Sequence, residues 1–149
     1  MKIFIWLVAE ILSVAFLFGS ASYAGTTTAV SVNNGGEVGN NDSSEAAISA
    51  DGRYVAFESK AANLAPEDAN EITDIFVHDR KTGETTLVSK SSHGGNGDST
   101  EPSISADGRY VAFHSWAGNL APGDTNAKAN VFVHDRQTGK TELISKSSD

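Results

Sequence analysis

Four histidines, nineteen acidic residues and no cysteine set the chemistry open to this 149-residue chain. Without thiols there is no disulfide framework, no thiolate metal site and no cysteine nucleophile. His78 and His134 each stand in a His-Asp-Arg triplet, a pairing that suggests an oriented general base. Each triplet ends an apolar run of strand character, and adjacent strand side chains point to opposite faces. The triplet also occurs twice, whereas a catalytic group is normally single. Both histidines therefore read as structural. His93 and His114 have no counterparts and read as surface residues, too far apart to make a zinc claim. The Ser- and Gly-rich stretch 91–97 lacks the Lys-Ser/Thr and following helix of a phosphate-binding loop. No Gly-x-Ser-x-Gly elbow occurs. No catalytic residue is assigned.

Two loops carry the remaining candidates. Asp68, Asn70 and Asp74 are matched by Asp124, Asn126 and Asn130. Spacing of one, three and seven lets a compact loop gather oxygen ligands around calcium, with carbonyls and water completing the shell. The glycine at six and glutamate at twelve of an EF-hand are missing, and the second copy has one carboxylate fewer. The alternative is ordinary Asx-turn chemistry. Trp116 stands where the other loop has Lys60. It reads as a platform for a sugar or an anchor for a partner, or as packing on its own loop. Asp51-Gly52 and Asp107-Gly108 read as type I′ hairpin turns. Arg53 and Arg109 beside them are placed to pair with Asp79 and Asp135.

Eleven basic residues give a net charge of -8 and a pI near 4.8. That disfavours a nucleic-acid face and a polybasic membrane patch. Lys2 followed by the mostly apolar run Ile3 to Phe18, then Ser22-Tyr23-Ala24, is the pattern of an export signal cleaved before Gly25. Its helix is expected over 1–24. A retained anchor is the alternative, but Glu10 at mid-helix would cost a permanent span about 2.5–3.5 kcal/mol. Gly25 stands where a lipoprotein needs cysteine. The expected address is periplasmic or secreted.

Self-similarity is the strongest signal. Ile48 to Phe57 recurs letter for letter as Ile104 to Phe113, an offset of 56. Segments 45–93 and 101–149 share 32 of 49 positions without a gap, so both must adopt one structure. Residues 25–44 read as a linker and the tail strand of a preceding unit, with Thr26 to Val32 resembling Thr85 to Lys90. Each repeat reads as four strands. In the first they are a short strand at Ile48, then Arg53 to Ser59, Asp74 to Asp79 and Thr85 to Lys90. The mature chain shows no convincing helical period. Tyr54 to Phe57 and Ile75 to Val77 are apolar on both strand faces, so each sheet needs cover on both sides. Four-stranded units stacked face to face supply it, as in propeller blades. A two-sheet sandwich is the alternative.

The segments 49–57 and 105–113, with Ile75-Phe76-Val77-x-Asp79, Val131-Phe132-Val133-x-Asp135, Thr-Gly and Leu-(Val/Ile)-Ser, resemble the TolB-like, WD-repeat-like propeller repeat of bacterial proteins. The resemblance covers about residues 26–149. It implies an all-β chain of two antiparallel blades with an N-terminal strand, and a mostly non-catalytic envelope scaffold acting through protein–protein interaction. Calcium binding, carbohydrate binding and an accessory role beside a peptidase-like domain are the alternatives. Closed propellers need about 4–8 blades. Two blades leave apolar ends, to be covered by copies in a ring (three chains would give six blades) or by another protein, unless the chain is a truncated product.

Overall fold

The computed structural model describes residues 26–68, 70–91, 95–124 and 128–146. The export segment, His93 and Asn126 lie outside them. Eight strands form in chain order: β1 (Ser43–Ile48), β2 (Tyr54–Ser59), β3 (Asp74–Asp79), β4 (Glu84–Leu87), β5 (Ser99–Ile104), β6 (Tyr110–Ser115), β7 (Asn130–Asp135) and β8 (Lys140–Leu143). They make two antiparallel meanders, β1-β2-β3-β4 and β5-β6-β7-β8. The sheets pack face to face, with β5 against β1, β2 and β3. This is the arrangement of two neighbouring propeller blades, a partial propeller.

Register explains the double-sided hydrophobic pattern. Phe57 lies opposite Phe76 and Ala56 opposite Val77, so each sheet has an aromatic and an aliphatic face. The aromatic face of the first blade, Phe57 and Phe76, packs on Ala61, Leu64 and Ala65 of its own β2–β3 loop. Its aliphatic face, Ala56, Ile75 and Val77, packs on Val111, Phe113 and Phe132 of the second blade. Phe76 and Phe132 are wholly buried. Burying a side chain of this kind stabilises by roughly 1.5–3 kcal/mol, before the cost of ordering it.

Three local details differ from the sequence reading. The Asp-Gly turns are not type I′, which needs positive φ at both central residues. Only Gly52 (+69°) and Gly108 (+71°) are left-handed, and their amides return to Ser49 and Ser105. Asp51 and Asp107 instead cap the turns through Ser49 and Ser105. The fourth strand stops at Leu87 rather than Lys90. There the Val88 amide closes on the Ile75 carbonyl while the Ser89 hydroxyl takes the Ile75 amide. Finally, 26–31 carries no strand. Val32 makes a single bridge to Val38, and its carbonyl accepts from Thr85.

The inner strands are irregular in both repeats. Register shifts between Ser44 and Ala47, and between Thr100 and Ser103. Glu45 (φ +48°) and Glu101 (φ +55°) take left-handed conformations at these bulges. At the junction Ala50 donates to the Ala106 carbonyl (3.0 Å), and Glu58 accepts the bulge amide of Glu101 (3.0 Å).

Tyr54 closes the junction. Its ring lies under Arg53 (4.7 Å) and Arg136 (4.3 Å), and it covers the turn glycine of the second blade. A Cβ on Gly108 would fall 2.1 Å from the Tyr54 ring; one on Gly52 would meet nothing nearer than 3.7 Å. Gly52→Ala therefore suffers only the left-handed backbone, about 1–2 kcal/mol. Gly108→Ala suffers that and the clash. The denaturant midpoint should fall further for Gly108→Ala than for Gly52→Ala. Equal losses would mean that the two blades do not meet at Tyr54.

Candidate functional site

The histidines have a structural task. His78 Nδ1 lies 2.9 Å from the Thr85 hydroxyl, and His134 Nδ1 lies 2.9 Å from that of Thr141. Each bond ties β3 to β4, or β7 to β8, across the sheet. Burial lowers the affinity of both rings for a proton and favours their neutral form. Asp79 and Asp135 point to the opposite face. There each forms a two-pronged pair with Arg53 or Arg109, at 3.0 and 2.7 Å in both repeats. The guanidinium hydrogen bonds hold both carboxyls well below the usual carboxylate range. No His-Asp dyad forms. His114 is exposed and sits 3.4 Å from Glu101.

The loop candidates come together, but differently in the two repeats. Asp68 in the β2–β3 loop and Asp74 at the start of β3 are both buried, and Asn70 lies between them in the chain. The Asn70 amide caps Asp68, and the Ile72 amide caps the Asn70 side chain. Asp74 accepts from Ser89 through Oδ1 at 2.6 Å. Its Oδ2 has no hydrogen-bond partner among the described residues. In the second repeat Asn130 replaces Asp74. Its amide donates to Asp124 Oδ1 and to the Lys128 carbonyl, both at 3.0 Å, while its Oδ1 accepts from Ser145. Among the described residues no three His, Asp or Glu side chains gather as a metal cluster.

Burial pushes the Asp74 carboxyl up to about 6. The Ser89 hydroxyl and the nearby Asn70 amide pull it back, and the charges of Asp68 and Asp98 push it further up. Asp68 is raised by burial as well.

Trp116 follows β6, is 54% exposed, and has its backbone amide bound to the Asp98 carbonyl. It does not pack on its own loop as a buried ring.

Three contributors were not singled out in the sequence. Ser89 and Ser145 seal the loop ends, Asn63 and Asn119 accept from the linker amides of Asn40 and Asn96, and Glu58 reaches the next blade. The first two pairs carried a signal, because each recurs at the 56-residue offset. Glu58 carried none, since His114 takes its place.

The two packed four-stranded antiparallel meanders define a two-blade β-propeller segment. No family model matches the chain, and no curated protein matches it. Among solved structures it is similar to a putative TolB from Agrobacterium tumefaciens, at 21% identity and TM-score 0.49 over 72% of this chain and 31% of that one. It is also similar to TolB from Acinetobacter baumannii, at 21% identity and TM-score 0.46 over 72% of this chain and 22% of that one. An acylaminoacyl peptidase from Pyrococcus horikoshii matches at 17% identity and TM-score 0.46, over 73% of this chain and 14% of the peptidase. The chain thus spans under a third of either TolB chain.

The raised carboxyl predicts a pH signature. A group whose folded pKa exceeds its unfolded value of 3.8 stabilises below that value and loses the effect as pH rises through about 6. In chelator-containing buffer, the stability of Asp74→Asn relative to wild type should therefore rise between pH 5 and pH 7.5. Urea unfolding of both proteins measures it, and a flat difference would refute the shift.

Proposed function

We propose that this chain is an exported, non-catalytic propeller segment that works by protein–protein association, and that its first partner is a second copy of itself. The observation that carries this reading is the unequal cover of equivalent residues. Val88 is buried, whereas its equivalent Ile144 is 49% exposed. Tyr54 is half-buried and Tyr110 is 41% exposed; Ala56, Ile75 and Val77 are buried, whereas Ala112, Val131 and Val133 are only partly so. At the other end Ile48 is 57% exposed and its equivalent Ile104 is half-buried. Each end lacks what the other presents.

The internal junction supplies the template. Arg136 donates to the Gly108 carbonyl at 2.7 Å and stacks on Tyr54. Arg80 makes the same 2.7 Å bond to Gly52, but no tyrosine reaches it among the described residues. Tyr110 keeps Arg109 at 4.8 Å and offers its other face. Tyr110 of one copy fits the Gly52 turn and Arg80 of the next, a head-to-tail contact that rings or extends by rotation. His114 stands where Glu58 caps the following blade, so that one hydrogen bond is replaced rather than repeated. The expected address outside the cytoplasmic membrane rests on the export segment.

A second reading, recognition of a glycan or another protein by Trp116, is favoured by the exposure of that residue alone. Light scattering after size exclusion separates the two. A mass of several 15.6 kDa chains, less the export segment where it is removed, is expected for wild type and for Trp116→Ala. Tyr110→Ala combined with Ile144→Asp should return a monomer. A wild type that is monomeric at every concentration overturns self-association.

A further inference from the structure

We propose that the β2–β3 loop of the first repeat, and not its copy in the second, is a calcium site built on Asp68 and Asp74. The two repeats form a natural comparison at one position. In the second, the Asn130 amide donates to the Asp124 carboxylate and the Lys128 carbonyl, and the loop closes on itself. In the first, Asp74 keeps the equivalent serine bond through Oδ1 and puts Oδ2 where the amide nitrogen stands. By the 56-residue equivalence that oxygen is on the side of the Asp68 carboxylate, whose charge acts on Asp74, with the Asn70 side chain close by. Asp74 is completely buried and Asp68 nearly so, and no described residue gives Asp74 Oδ2 a hydrogen bond. Two buried carboxylates in one loop repel, and the low-dielectric surroundings sharpen the conflict. A cation turns the repulsion into attraction.

The donor chemistry selects the cation. The ligands on hand are the two carboxylates, with loop carbonyls and water to complete the shell, all hard oxygens. None is nitrogen or sulfur, which disfavours zinc and copper. Calcium accepts six to eight oxygens in flexible geometry, with water filling the remainder, whereas magnesium demands a near-ideal octahedron. With only two carboxylates the affinity belongs to the weak range of extracellular modules, about 10⁻⁴–10⁻³ M. Asp124 also has one oxygen without a partner, but its other oxygen is held by Asn130. The second loop therefore lacks the pair of carboxylates.

Isothermal titration of chelator-stripped protein with calcium chloride at pH 7.5 tests the proposal. Wild type should bind one equivalent per chain. Asp74→Asn should bind none and remain folded, because the second repeat already folds with asparagine there. Asn130→Asp should bind two. Absence of saturable heat from wild type at 10 mM calcium (about ten times the weakest affinity expected) overturns the proposal. So does unchanged binding in Asp74→Asn, which would place the ion elsewhere. A single equivalent in folded Asn130→Asp would show that this position does not decide binding.

Discussion

Sheets with apolar side chains on both faces are stable only between two covers, and this requirement governs the whole chain. The first blade has both. Its aromatic face lies under its own loop, and its aliphatic face lies on the second blade. The second blade has cover on its aromatic face, from its own loop residues Ala117, Leu120 and Ala121 and from the first blade, while its aliphatic face stays partly open. Among the described residues three of the five exposed large hydrophobics follow from this: Ile48 at the leading end, and Tyr110 and Ile144 on the open trailing face. Val38, in the segment before β1, and Trp116 stand outside the pattern. Tyr110 is exposed at the position where its equivalent, Tyr54, covers the Gly108 turn.

Polar groups in this fold are sorted by which side of a strand they occupy. Asp79 and Asp135 meet guanidinium groups and are held strongly ionised. Asp74, on the other side of the same strand as Asp79, meets a hydroxyl and further acid, and burial drives it toward the neutral form. The pleat alone separates the two environments. The histidines, next to aspartates in the chain, are parted from them in the same way, which is why a suggestive triplet makes no catalytic pair.

Much of this was legible in the residues. The 56-residue offset gave two copies of one fold, the double-sided apolar runs gave stacked sheets, and Arg53 and Arg109 were placed beside the aspartates they bind. What was not legible depends on long-range contact. Asp-Gly suggests a type I′ turn locally, but capping by Ser49 and Ser105 makes a wider turn with one left-handed residue. Leu-Val-Ser continues the strand pattern, yet Ser89 spends its hydroxyl on β3 and ends the ladder. The change from Asp74 to Asn130 looked like one lost ligand. Only the facing Asp124 shows that it replaces an acceptor by a donor.

The bulged inner strands carry a further consequence. A chain built of short sheets presents free strand edges, and free edges invite pairing with any extended segment nearby. At Glu45 and Glu101 the inner edge steps out of register and the backbone turns left-handed. A charged side chain sits at each step. Such an edge offers no continuous ladder for an incoming strand to follow. The outer edges are only four residues long. Edges of this kind disfavour fibril growth by strand addition, even while Tyr110 and Ile144 stand exposed on the trailing face.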